Sequence, residues 1–129
     1  MSIFEKSGEL MIIGVGTDIS EISRVEKACE KQNFIEKCYT DKEIEFIGSR
    51  AESLAGNFAV KEAVSKALGT GFRGFALRDI ECLRDELGKP YVVLHGGALE
   101  RFESIGGNKI LVSISHSKSD AIAFVVIEG

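Results

Sequence analysis

The patterned part of the chain begins at LMIIGVGTDIS, where branched apolar residues alternate with small ones. In a strand, alternate residues share a face. Ile13, Val15, Thr17 and Ile19 therefore fall on one side, and Gly14, Gly16 and Asp18 on the other. The branched side is expected to bury and the other is bare. The period then changes: Ile22, Val25 and Cys29 recur at helical spacing and predict a helix from Ile22 to about Gln32. A short turn in NFIEKCY follows. Thr40, three residues before Glu43, makes the capping-box pattern and predicts a helix beginning at Asp41. The longest helical stretch runs from Ala51 to Leu68 and is ended by Gly69.

Beyond it, DIECLRDELGKPYVVLHGG reads as two strands joined through Leu87-Gly88-Lys89. Pro90, the only proline, stands at the second strand's start, where its missing amide costs little. ALERFESIGG is a short helix, and KILVSISHSKSDAIAFVVIEG holds two strands around a Ser/Lys/Asp turn. The predicted order is β-α-α-α-β-β-α-β-β, an α+β fold with a long central helix (about 51–68) on a small, mostly antiparallel sheet.

Composition narrows the classes. With 129 residues, 44% of them hydrophobic, the chain can bury a core without disulfides or a structural metal. Residues 11–129 are read as one domain, and residues 1–10, MSIFEKSGEL, as a mobile lead-in with neither signal peptide nor membrane span. A net charge of −4 argues against a nucleic-acid partner, so any acidic partner must meet a local patch. Three cysteines without a CxxC pattern read as free thiols in a reducing cytosol.

The segment FAVKEAVSKALGTG carries the first candidate chemistry. At 100° per residue, Glu62 and Lys66 point into the arc of Ala55, Phe58 and Ala59, toward packing rather than open water. A buried carboxylate there needs a partner. A simple i, i+4 pair with Lys66 satisfies that requirement. So does a metal shared with Asp18, since two carboxylates, phosphate oxygens and water form the hard-oxygen shell Mg²⁺ prefers. His116, in SISHSKSD, is either a polar rim for a phosphate or an ordinary loop histidine. Ser115, His116 and Asp120 do not make a hydrolase triad, because neighbouring strand residues point to opposite faces. Arg24, Lys27 and Lys31 line one face of the first helix, a basic stripe suited to an acidic partner.

Three motifs in register, GVGTDISEISRV, FAVKEAVSKALGTG and SISHSKSDAIAFVVIE, closely resemble the holo-[acyl-carrier-protein] synthases, small bacterial 4′-phosphopantetheinyl transferases. The resemblance covers about Met11 to Glu128. It implies Mg²⁺ on Asp18 and Glu62, coenzyme A phosphates on Lys66, and the nucleotide end on His116 and Ser117. It also implies docking of an acyl carrier protein on Arg24, flanked on the same helix face by Lys27 and Lys31. A cytoplasmic homotrimer with active sites between subunits is implied as well. One departure is Asn57, where many relatives carry a basic residue that meets a nucleotide phosphate.

The expected activity is Mg²⁺-dependent transfer of 4′-phosphopantetheine from coenzyme A to a carrier-protein serine, for fatty acid biosynthesis. Asp18, Glu62 and Lys66 are its expected catalytic residues. Two rivals stand beside it: a non-catalytic trimeric scaffold for a carrier protein or nucleotide, and a Mg²⁺-dependent nucleotide pyrophosphohydrolase.

Overall fold

The computed structural model describes residues 10–129. Strand β1 (Ile12–Glu21) runs directly into helix α1 (Ile22–Ala28), followed by α2 (Gln32–Cys38), α3 (Asp41–Ile47) and the long α4 (Ala51–Ala67). A 3₁₀ turn (Leu77–Asp79) leads to β2 (Ile80–Arg84) and β3 (Pro90–Leu94). Helix α5 (Gly96–Ser104) and the closing pair β4 (Lys109–His116) and β5 (Asp120–Glu128) complete the fold. The α+β class and the long central helix are as expected. The expected lead-in over residues 1–10 lies outside the described residues except for Leu10.

Two boundaries differ from expectation. Helix α1 stops at Ala28, because the amides of Glu30 and Lys31 bond back to the carbonyls of Lys27 and Ala28, tightening the last turn before Lys31 becomes extended. NFIEKCY is then a full two-turn helix, with Phe34, Ile35 and Cys38 turned into a core shared with Ile22, Val25, Tyr39, Ile47 and Leu54. The capping box at α3 is present in both directions: the Glu43 amide donates to the Thr40 hydroxyl, and the Thr40 amide donates to Glu43.

The strands form a three-stranded antiparallel sheet, β1-β5-β4, and a separate β2–β3 hairpin. Helix α4 lies over the larger sheet, with Ala59, Ala63 and Ala67 in one buried cluster with Ala123, Val125 and Ile127 of β5. The faces of β1 are inverted relative to expectation. Gly16 is buried, and a Cβ there or at Gly14 would collide with the Ala63 or Ala67 carbonyl of α4. These glycines let helix and strand backbones touch, rather than opening the strand to a ligand. The branched face remains uncovered: Val15 is 53% exposed, Ile19 64%, Ile122 42% and Phe124 46%.

Candidate active site

The close β1–α4 contact brings Asp18 to Glu62 and Lys66. Asp18 continues the glycine face of β1 toward the helix. Its Oδ2 accepts from the Ser20 hydroxyl at 2.7 Å, and its Oδ1 receives the Lys66 Nζ at 3.3 Å. Lys66 also donates to the Thr17 carbonyl at 2.9 Å, and its side chain is 53% exposed. Lys66 thus faces solvent rather than packing, and its ion pair is with Asp18 rather than with Glu62. The Glu62 side chain is half-buried. Burial pushes its carboxyl above the ordinary range and the Asp18 charge pushes it further, against the opposing pull of Lys66 and Arg24.

A half-buried carboxylate beside a second carboxylate and one exposed ammonium forms a site that gains from a divalent cation. The donors are hard oxygens, which fit Mg²⁺. No cluster of three or more His, Cys, Asp or Glu suited to a metal occurs among the described residues. The remaining positions around an ion at Asp18 and Glu62 would therefore fall to water and substrate.

The other expected residues lie apart from this cluster. His116 ends β4 two strands away from β1, level with Ala121 and Ser20 in the register, and is exposed. It lines a cavity of about 230 Å³ with Ser53 and Gly56 of α4 and Arg84, Gly88 and Pro90 of the hairpin. Ser117 holds the β4–β5 turn, its hydroxyl oxygen accepting from the amides of Ser119 and Asp120. Arg24 and Lys27 are exposed on α1, but Lys31 lies past the end of that helix, extended at the start of α2, so the expected stripe along one helix face is broken. The three nonetheless wall, with Phe34, a groove of about 380 Å³ interrupted by Glu30.

The charged residue of KEA that is fully buried is Lys61, which the wheel did not single out. Its Nζ lies 2.7 Å from Glu43 Oε1, both side chains being inaccessible, and it also donates to the Ile80 and Leu77 carbonyls. Asn57, likewise inaccessible, donates from Nδ2 to Glu43 Oε2 and to the Cys82 carbonyl, both at 2.9 Å. A ligand cannot reach Asn57. The sequence does contain a signal for Ser20, a hydroxyl two residues from Asp18 on the same strand face. The Lys61–Glu43 pair spans 18 positions, and no local pattern announces it.

The three cysteines are buried and unpaired, burial pushing Cys38 up to about 12 and Cys82 to about 11. They are inert core thiols. No helix among the described residues is long and apolar enough to cross a membrane.

Residues 14–125 match the family model of the 4′-phosphopantetheinyl transferase superfamily. A holo-[acyl-carrier-protein] synthase of Clostridium botulinum (strain Alaska E43 / Type E3) is 56% identical over 122 residues, 92% of this chain and 98% of the relative. Among solved structures, the acyl carrier protein synthase of Plasmodium yoelii with ADP bound superposes with a TM-score of 0.85 at 34% identity, covering 95% of this chain and 98% of that one. The holo-(acyl-carrier-protein) synthase of Bacillus anthracis in complex with coenzyme A gives 0.77 at 37% identity, covering 92% and 98%. With this agreement in sequence and fold along nearly its whole length, the chain belongs to the 4′-phosphopantetheinyl transferase superfamily and, within it, to the holo-[acyl-carrier-protein] synthases.

Proposed function

We propose that this enzyme, a single domain over residues 11–129, moves 4′-phosphopantetheine from coenzyme A to a serine of an apo acyl carrier protein. Adenosine 3′,5′-bisphosphate leaves, and the product serves fatty acid biosynthesis. The observation that carries this reading is the meeting of Asp18, Glu62 and Lys66 at one exposed edge of the β1–α4 contact. In the reaction the serine oxygen bonds to the β-phosphorus, the bond from that phosphorus to the bridging oxygen breaks, and the serine proton departs. Asp18 and Glu62 would hold Mg²⁺, which when bound neutralises charge on the pyrophosphate oxygens. Lys66, reaching solvent from Asp18, exchanges that contact for a phosphate oxygen and steadies the leaving phosphate. Glu62 orients the water that takes the serine proton.

His116 and Ser117 are assigned to the nucleotide end. Arg24, with Lys27 and Lys31 toward the rim, is assigned to the acidic carrier protein, where complementary charge speeds encounter. The Asp18 cluster and the His116 cavity are set apart along α4, the first at Glu62 and Lys66 and the second at Ser53 and Gly56. A ligand reaching both is best accommodated between two copies, and the uncovered apolar face of Val15, Ile19, Leu111, Ile122 and Phe124 suits burial in a homotrimer. The unpaired thiols suit the cytoplasm.

Incubating the protein with coenzyme A, Mg²⁺ and apo carrier protein, and weighing the carrier by mass spectrometry, tests the activity. Addition of one phosphopantetheine supports it. Cleaved coenzyme A with an unmodified carrier would indicate a pyrophosphohydrolase, and binding without turnover a scaffold. Analytical ultracentrifugation tests the trimer.

A further inference from the structure

The cavity beside His116 contains a cation held in an unusual way. Arg84, half-buried at the end of β2, donates from one guanidinium nitrogen to Asn57 Oδ1 at 2.9 Å and from the other to Cys82 Sγ at 3.2 Å. Its guanidinium carbon sits 5.2 Å from the centre of the Phe46 ring. Among the described residues, Arg84 forms no ion pair; Glu52, the acid that also lines the cavity, is exposed.

The orientation of Asn57 is fixed by its surroundings. Its amide nitrogen donates to the Glu43 carboxylate and the Cys82 carbonyl, and turning the amide over would set its oxygen against two acceptors. Glu43 is itself pinned by Lys61. A buried chain from Lys61 through Glu43 and Asn57 therefore ends in an oxygen that points at Arg84. The guanidinium is aimed before any ligand arrives, at low entropic cost. Its charge faces a cavity of about 230 Å³ that also carries His116 and the Gly88–Pro90 turn. A pre-oriented, unpaired guanidinium beside an imidazole suits a phosphomonoester.

We infer that Arg84, held by Asn57, is a binding residue for the phosphomonoester of the nucleotide substrate. This inference rests on the proposed use of coenzyme A, whose pyrophosphate is assigned to the Asp18 cluster, leaving its 3′-phosphate as the group for this cavity. Asn57 acts through Arg84 and is a positioning residue.

The test compares coenzyme A with 3′-dephospho-coenzyme A, by calorimetric binding and by steady-state transfer to apo carrier protein. Arg84→Met keeps the apolar stem and removes the charge. It should weaken coenzyme A binding roughly ten- to a hundredfold, leave the dephospho form unaffected, and change kcat less than about twofold. Arg84→Lys keeps the charge but not the planar fork that grips Asn57, and should recover only part of the lost affinity. Asn57→Ala also strips donors from Glu43 and Cys82 and endangers the fold, so the Arg84 variants decide the matter. If Arg84→Met still prefers coenzyme A over its dephospho form as strongly as wild type does, the role of Arg84 is overturned while that of His116 stands. If Arg84→Lys equals wild type, positioning by Asn57 is overturned. If wild type itself does not distinguish the two ligands, the nucleotide-phosphate reading of the whole cavity fails with it.

Discussion

Glu43 and Glu62 are two carboxylates within reach of the same helix, and their surroundings are opposite. Glu43 is inaccessible and fully answered, with Lys61 at 2.7 Å, the Asn57 amide at 2.9 Å and the Cys82 amide at 3.3 Å. Glu62 is half-buried, and its strongest neighbouring charge is another carboxylate, Asp18. A buried charge with every lone pair satisfied fixes how elements dock. One raised in energy by a like charge at an accessible edge is suited to bind something that removes the repulsion. Neighbouring residues of one KE pair thus differ in kind: Lys61 holds α4 on α3 and β2, and Glu62 is the one proposed for the site.

The largest effect should come from the accessible member. Glu62→Gln, or Asp18→Asn, is expected to lower transfer at least about a hundredfold. Both should remove the rise in thermal midpoint that Mg²⁺ gives wild type by binding the folded state. Without metal, Glu62→Gln should melt no lower than wild type, because it relieves repulsion from Asp18. Near-normal turnover at low Mg²⁺ would remove Glu62 from the site. The buried member should behave in the opposite way. Lys61→Met leaves Glu43 charged and unpaired, with an expected cost of about 3–5 kcal/mol in urea unfolding. A loss below about 1 kcal/mol would show that the two carboxylates differ less than their geometry says.

Arg24 sharpens the comparison from outside, because it is exposed on α1 yet close enough to pull the Glu62 carboxyl down. Arg24→Glu should raise KM for the carrier protein strongly, change KM for coenzyme A little, and make transfer less sensitive to salt. Unaltered carrier kinetics would remove α1 as the docking face, as would a variant whose only defect is dissociation of the oligomer.

Glu81 supplies the smallest effect and a third environment. Burial pushes its carboxyl up, but the Thr40 hydroxyl and the His95 imidazole, with the His95 and Lys42 charges, outweigh burial and leave it below the ordinary range. A carboxyl lowered by folding contributes stability above its unfolded pKa and loses it as pH falls through the folded value. Wild type should therefore lose urea resistance between about pH 5 and pH 3 more steeply than Glu81→Gln does. Parallel acid profiles would mean that the Thr40–Glu81–His95 contacts do not stabilise the charged form.

The sequence by itself determined most of the elements and pointed to the candidate chemistry, because both rest on short-range regularities. Thr40 and Glu43 cap α3 through contacts three residues apart, Pro90 opens β3, and Gly69 follows α4 at φ +80°. Motif spacing likewise picked out Asp18, Glu62 and Lys66, since the strand and helix periods put each on a definable face. Tertiary structure decided what those faces meet. Alternation along β1 separates glycines from branched residues, but only the approach of α4 to within backbone contact makes the glycine side the buried one. The helical wheel placed Glu62 and Lys66 in a packing arc, but the lysine's flexible stem carries its charge out to Asp18 and solvent. The partners of Lys61 and Arg84 lie 18 and 27 positions away in the chain. Whether a charge is satisfied, repelled or left to meet a ligand depends on what the fold brings within about 4 Å of it, and no local pattern encodes that distance.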